Sequence, residues 1–363
     1  PYAEPIVGAY YENWSQYFPS TGGRPVFMPN LIDPNIITDL YYAFALFGFI
    51  TASFPEKGGP CLTGNFNVEP IEWNDQSTLY PMVQDLKKTN PKLRTILSIG
   101  GWTFNQPDDL RIGQYTYHLF SQMVSTKENR TNFIDSAIAY AQQWGFDGID
   151  IDWEYPGDLT RGGTPEDYEN FKTFLEECYS AFKAATPSLI LTYDSPAATP
   201  KGCDTDPVSY FQWLGSLNPN LDRYNLMAYD YHGSWDTLTG ANAPLYQDSL
   251  GSTEVDFCIQ DTLDNYLNGG VPPEKIVLGM PIYGRSFGEV EGLTASDNGP
   301  GKPFSEPGNP GPSSAQAGLL TYYEITDSIE AGASVLGGDI PTSTAYAYSL
   351  KNKQWTSFDT PYT

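Results

Sequence analysis

The sequence predicts an α/β protein, a single barrel of strand–helix units around a parallel sheet that carries one insertion. Three observations lead there. Its 363 residues are too many for one small module and suit a barrel with an added lobe. From residue 6 to about residue 283, short apolar runs alternate with amphipathic stretches. After Tyr283 the alternation stops, and the stretch from Gly292 to Gly318 is dense in Gly, Pro and Ser.

The candidate strands are 6–11, 40–46, 93–99, 148–153, 189–193, 224–229 and 276–280. Most are continuous apolar runs, as strands covered on both faces are. One helix is expected to start at Thr164, with Pro165 in its first turn and the acids Glu166 and Asp167 facing the positive end of the helix dipole. Its apolar stripe is Tyr168, Phe171, Leu175, Cys178 and Phe182. A second helix follows Thr126, carries Phe133, Ile134, Ala137, Ile138 and Ala141, and stops at Gly145, directly before strand four. Segment 48–77 reads as an extended loop lying over the C-terminal face of the barrel. The expected division is 1–283 for the barrel with strands one to seven, 284–350 for an α+β insertion with 319–331 helical, and 351–363 for a return towards the barrel. No eighth strand is found.

Forty-four acidic residues against 19 basic ones leave a net charge of −25, which repels a phosphate backbone and argues against nucleic acid as a partner. An aromatic content of 15% excludes general disorder. No stretch approaches the ~18 consecutive apolar residues of a membrane span, and with Pro at position 1 the sequence reads as a processed or trimmed soluble chain. Cys61, Cys178, Cys203 and Cys258 show no CxxC spacing and only two His occur, so neither a zinc site nor a Cys/His protease is indicated. Three disulfide pairings are open, with Cys178 expected to be a buried thiol. The sequence calls for no metal and no cofactor.

The sharpest feature is the run from Phe146 to Tyr155, FDGIDIDWEY. In a strand, Asp150, Asp152 and Glu154 share one face while Ile149, Ile151 and Trp153 share the other. Burying three carboxylates costs several kcal/mol unless they share protons, find donors or serve a reaction. An edge strand with a wetted acidic face conflicts with the apolar neighbouring strands. A calcium loop would need Gly where Tyr155 stands. Glycoside hydrolysis needs a carboxyl group kept protonated near neutral pH, and neighbouring acids supply that by like-charge repulsion, the cluster titrating as one.

The run Asp147-Gly148-Ile149-Asp150-Ile151-Asp152-Trp153-Glu154 resembles the DxxDxDxE signature of glycoside hydrolase family 18, the chitinases and their relatives. Ser98-Ile99-Gly100-Gly101-Trp102, Met227-Ala228-Tyr229-Asp230 and Met280-Pro281-Ile282-Tyr283-Gly284-Arg285 resemble its motifs on strands three, six and seven, in the right order. Tyr42-Ala43-Phe44 on strand two and Tyr10-Tyr11-Glu12-Asn13-Trp14 on strand one also fit.

The resemblance implies a TIM (β/α)8 barrel and a secreted, endo-acting chitinase that cleaves chitin or chitooligosaccharides by a substrate-assisted retaining mechanism. Glu154 would protonate the glycosidic oxygen and the sugar's 2-acetamido carbonyl would attack its own anomeric carbon. Asp152 would accept from the acetamido N–H, with Asp150 sharing a proton behind it, while Tyr229 orients the acetamido oxygen and Asp230 binds the same sugar. Trp102 and Tyr283 are the aromatic platforms placed by motif; Trp14, Trp153 and Trp235 lie near strand ends, where core packing is an equal reading. Met227, Tyr11, Phe44 and Tyr155 complete the expected sugar contacts. Arg285 either meets the sugar or pairs with an acid of the cluster. His232 is read as shaping a loop. Sequons stand at Asn13 and Asn129, and Phe287 occupies a position where many relatives carry Trp.

Two other functions share these motifs: an endo-β-N-acetylglucosaminidase acting on glycans, and a chitin-binding lectin, which typically has the acid replaced where Glu154 is intact. An open seven-stranded barrel exposes unpaired backbone, so the eighth strand is expected from a continuation of the polypeptide or from another chain in a larger assembly.

Overall fold

The computed structural model describes residues 5–18, 24–50, 61–247, 258–340 and 343–363. The chain divides into two compact units. The first comprises Pro1–Tyr17, Val26–Asn225 and Tyr266–Val277; the second comprises Phe18–Pro25, Leu226–Asn265 and Leu278–Thr363.

The first unit is organised by a sheet whose path runs through seven strands in chain order: β1 Gly8–Glu12, β2 Asp39–Phe47, β3 Arg94–Gly100, β4 Gly148–Asp152, β5 Ile190–Pro196, β6 Arg223–Met227 and β7 Ile276–Leu278. The pairings β1–β2, β2–β3, β3–β4 and β4–β5 are parallel. Among the described residues no eighth strand extends this path. Helices follow the strands: α1 Leu119–Ser125, α2 Lys127–Trp144, α3 Asp167–Ala184, α4 Pro207–Ser216 and α5 Ile259–Gly269.

Alternation along β4 explains the layering. Ile149, Ile151 and Trp153 are buried on the helix side, where Trp153 stacks on Phe120 of α1 at 5.3 Å and meets Phe171 of α3 edge-on at 5.4 Å. The α2 boundaries agree with the sequence reading: the Thr126 hydroxyl accepts from Asn129 N, and Gly145 closes the helix at φ 76°. The α3 start does not. That helix begins at Asp167, whose carboxylate accepts from Thr164 N at 2.8 Å, Gly157 N at 3.2 Å and Ser121 Oγ at 2.6 Å; this ties down the preceding turn and keeps Thr164 and Pro165 outside the helix. Segment 48–77 is also more ordered than an extended loop. Phe49–Ile50 pairs with Cys61–Leu62, Val68–Pro70 pairs with the end of β2, and Asp75–Leu79 is a helical turn; residues 51–60 lie outside the described residues. Cys178, Cys203 and Cys258 are free thiols, Cys178 buried as expected; the Cys61 side chain lies outside the described residues.

The second unit holds an antiparallel sheet: β8 Tyr283–Gly288, β9 Glu306–Pro307, β10 Leu319–Thr321, β11 Val335–Ile340, β12 Thr344–Ser349 and β13 Gln354–Phe358. Helix α6, Tyr322–Glu330, is nucleated by a capping box between Thr321 and Glu324. Expected helix 319–331 is thus a strand followed by a helix. Strand β13, in the stretch read as the return towards the barrel, pairs with β8 and β12. Phe287 is buried with Val290, Tyr346, Tyr348 and Trp355.

At the start of β2, buried Asp39 accepts from Arg223 Nη1 and Nη2 of β6, both at 3.0 Å, and from Arg94 Nη2 of β3 at 2.5 Å. One carboxylate therefore joins strands far apart in the sheet order. Asp39→Ala leaves the Arg223 guanidinium buried without its counter-ion and is expected to cost about 3–5 kcal/mol, measured as the loss of unfolding free energy in a denaturant titration; a cost below about 1 kcal/mol, the range of exposed ion pairs, would contradict this role.

Candidate active site

The site in the first unit follows from register. Ser98, Asp150 and Thr192 are neighbours across β3, β4 and β5, so alternation sets Asp150, Asp152 and Asp194 on one face, opposite the helix-packed side. Asp150, Asp152, Glu154 and Asp194 are all buried, at 0, 4, 7 and 4% exposure.

Asp150 is surrounded by donors: Ser98 Oγ at 2.7 Å, Thr192 Oγ1 at 2.5 Å, Asn225 Nδ2 at 3.0 Å and the Tyr10 hydroxyl at 3.2 Å. The same hydroxyl lies 2.5 Å from Asp194 Oδ1 and accepts from Asn225 Nδ2 at 2.8 Å. Burial raises the Asp150 carboxyl from its ordinary range, against the pull of those donors. Asp152 has fewer partners. Its side chain bonds Glu154, its Oδ1 is buried without a hydrogen-bond partner, and burial, then the charges of Glu154 and Asp150, push it well above the usual carboxylate range. Asp194 is pushed the same way by burial and by Asp150 and Asp152.

Two glycines let β3 close on this stack. A Cβ on Gly100 would stand 2.1 Å from Asp152 O, and one on Gly101 would stand 2.8 Å from the Phe44 ring; both residues have positive φ, and Gly101 N donates to Asp152 O at 2.9 Å. Beyond them, the Trp102 ring is 51% exposed with a buried Arg161 behind it. The Arg161 guanidinium lies 3.6 Å from the Trp102 ring centroid, donates from Nη2 to Trp102 O at 2.6 Å and from Nε to Glu154 O at 2.6 Å. Tyr155 lies against the Glu154 side chain; burial, then that carboxylate, raise its phenol well above the ordinary value. Phe44 stacks on Trp14 at 5.8 Å.

One sequence expectation is corrected in this unit. Tyr11 is no surface contact: it is 2% exposed, packed between Phe27 and Tyr42, and its neighbour Tyr10 has the phase that reaches the acids. Trp153 belongs to the helix-side core. Asn13 is buried, with Nδ2 donating to Phe44 O and Asp75 Oδ1, so its sequon offers no exposed amide.

In the second unit, Asp230 receives Arg285 as a fork, Nε to Oδ1 and Nη2 to Oδ2, both at 2.6 Å, while the Tyr283 hydroxyl donates to Oδ1 at 2.7 Å. Of the two readings offered for Arg285, pairing with an acid is realised, and the acid is Asp230. Asp230 has φ 60°, a left-handed conformation held by its N–H donating to Asn242 Oδ1 at 3.1 Å. Tyr229 meets Tyr283 edge-on at 6.1 Å, and Met227 is half-buried at the end of β6. Trp235 is half exposed with Arg285 5.0 Å from its ring, and His232, bonded to Asp236, braces the loop as expected.

Sequence reasoning missed Arg161 and Asp194, and gave no role to Tyr10, Ser98, Thr192 or Asn225. Asp194 was legible: it stands two residues after Thr192 in an apolar strand, so period-two alternation points it at Asp150. Arg161 sits in a Gly-rich loop with no periodicity to place it.

A carboxyl group whose proton affinity is higher in the folded than in the unfolded protein adds stability below the ordinary carboxylate range and loses it as pH rises through its folded pKa. The raised stack therefore penalises folding at neutral and higher pH. Asp152→Asn is expected to raise the thermal midpoint more at about pH 8 than at about pH 4, followed by circular dichroism; equal changes at both would contradict this electrostatic assignment.

Comparison with known proteins identifies the family. The family model described as Glycosyl hydrolases family 18 matches residues 6–363. Chitotriosidase-1 of Mus musculus is 35% identical over 96% of this chain and 66% of its own length, and Chitinase 1 of Aphanocladium album is 34% identical over 97% and 74%. The crystal structure of an immunomodulatory active chitinase from Trichuris suis superposes with a TM-score of 0.78 at 30% identity, covering 98% of this chain and 86% of that one. The chain thus spans about two thirds to three quarters of the length of these curated relatives. With the signature strand at the centre of a parallel sheet and the family match running from residue 6 to the last residue, the chain belongs to glycosyl hydrolases family 18 and shares its TIM-barrel fold.

Proposed function

We propose that the protein hydrolyses chitin and chitooligosaccharides by endo-cleavage with retention of anomeric configuration, the sugar's 2-acetamido group serving as nucleophile. The observation that carries this reading is the buried stack ending in Glu154, in which burial and neighbouring carboxyls raise Asp152 and Asp194 well above the usual carboxylate range. Glu154 is the proposed acid and base. Asp152 is the proposed acceptor for the acetamido N–H, supported by its buried, unpartnered Oδ1. Asp150 holds the charge behind it. Tyr229 is assigned to an acetamido oxygen, and Asp230, with Arg285 and Tyr283, to sugar hydroxyls. Trp102 is the proposed stacking platform, with Phe44, Tyr155 and Met227 as flanking contacts. The proposed place of action is extracellular, since an insoluble polymer does not cross a membrane.

Glu154→Gln is expected to lower kcat on N-acetylglucosamine oligomers by about 10³-fold or more with little change in KM, while the wild type releases the β-anomer first and leaves cello-oligomers intact. An α-anomer product, an active variant, or cleavage only of a high-mannose glycoprotein would overturn the reading. Arg161→Met removes both carbonyl bonds behind Trp102 and Glu154, and is expected to lower kcat/KM by about 10²-fold; initial rates on the same oligomers check this.

A further inference from the structure

Below the signature acids lies a carboxyl group outside the motif. Asp194 of β5 is buried and within hydrogen-bonding reach of Asp150. Proton counting decides its state. The Tyr10 hydroxyl is next to both carboxyls, 2.5 Å from Asp194 and 3.2 Å from Asp150, but has one proton, and Asn225 Nδ2 already donates to it. Two buried carboxylates cannot both be satisfied by that proton. Asp150 also collects Ser98, Thr192 and Asn225, which favours its anion; among the described residues the side-chain donor at Asp194 is Tyr10.

We propose that Asp194 is a positioning residue that stands as a neutral carboxylic acid, donating its O–H to Asp150 while accepting from Tyr10. The arrangement fills Asp150 from behind, so the shared proton of the stack stays with Asp152 and Glu154, next to the substrate. The groups facing Asp194 are Tyr10 of β1, Tyr41 of β2, Asp150 and Asp152 of β4 and Asn225 of β6, with the Arg161 charge acting on Asp152. Among the described residues the groups acting on Asp194 are carboxyls and a phenol, with no cation beside them, so neutrality is the state these surroundings favour.

This inference rests on the proposed hydrolysis for its kinetic arm, and a spectroscopic arm stands apart from it. Difference infrared spectra of wild type against Asp194→Asn are expected to show the C=O band of a protonated carboxyl at neutral pH that is lost in the variant. In kinetics on N-acetylglucosamine oligomers, Asp194→Asn, whose amide N–H replaces the donated O–H, is expected to keep kcat within about threefold and to keep the pH profile; Asp194→Ala, which removes the donor, is expected to lower kcat about tenfold with KM unchanged. Absence of the band, an Asn variant as impaired as Ala, or an Ala variant matching the wild type would each overturn the proposal. Should the oligomers go uncut by any form, the hydrolytic reading fails while the band still decides the protonation state of Asp194.

Discussion

The constraint on which the first unit depends is that carboxyl groups from adjacent strands share one buried face. Placing Asp150, Asp152 and Glu154 at alternate positions of a central strand puts like charges at the spacing of a strand repeat, away from bulk water. The structure answers with an unequal distribution of donors. Hydroxyl and amide groups of four other strands converge on Asp150, whereas one oxygen of Asp152 has none. A stack satisfied at its base and unsatisfied near Glu154 directs its residual hydrogen-bonding capacity to the end where Trp102 is exposed.

Holding that asymmetry requires rigid surroundings. The reverse face of β4 is locked by ring contacts to α1 and α3, so the acids cannot relax apart by moving their strand. On the open side, the absence of Cβ atoms at Gly100 and Gly101 allows β3 to approach Asp152 and Phe44, and the turn that follows delivers Trp102 onto the Arg161 guanidinium. Arg161 then ties the Trp102 carbonyl to the Glu154 carbonyl. One buried cation sets the distance between the aromatic surface and the acid.

Much of this was legible in the sequence because it is periodic. Alternation of Asp and Ile over residues 149–152 fixes both the strand and its two faces, and the strand order follows from apolar runs separated by helical stripes. What was not legible lacked a period or depended on its phase. Tyr10 and Tyr11 are chemically identical neighbours, and only the register of β1 on β2 says which points to the acids. Asp194, by contrast, was legible from alternation and was lost only by ending strand five at Tyr193. The start of α3 was misplaced because Asp167 spends its carboxylate on the turn before the helix instead of leaving Thr164 to cap it. Arg161 and the partner of Arg285 are tertiary facts, set by loops whose composition reads as solvent-facing.

The buried stack of the first unit and Asp230 of the second are treated in opposite ways. In the stack, acids are crowded against one another and burial favours protons. In the second, Asp230 is matched to a guanidinium, two parallel bonds at 2.6 Å, with the Tyr283 hydroxyl on the same oxygen. Oδ1 thereby carries two donors and Oδ2 one, leaving acceptor capacity on a carboxylate whose charge is compensated by a permanent cation. A pyranose offers hydroxyl donors and no charge, so an acceptor fixed in place by a fork of N–H bonds suits the hydroxyl-binding role proposed for Asp230. Proton donation and hydroxyl recognition place contradictory demands on a carboxyl group, and on the proposed reading the first falls to the crowded acids and the second to a carboxylate paired with Arg285.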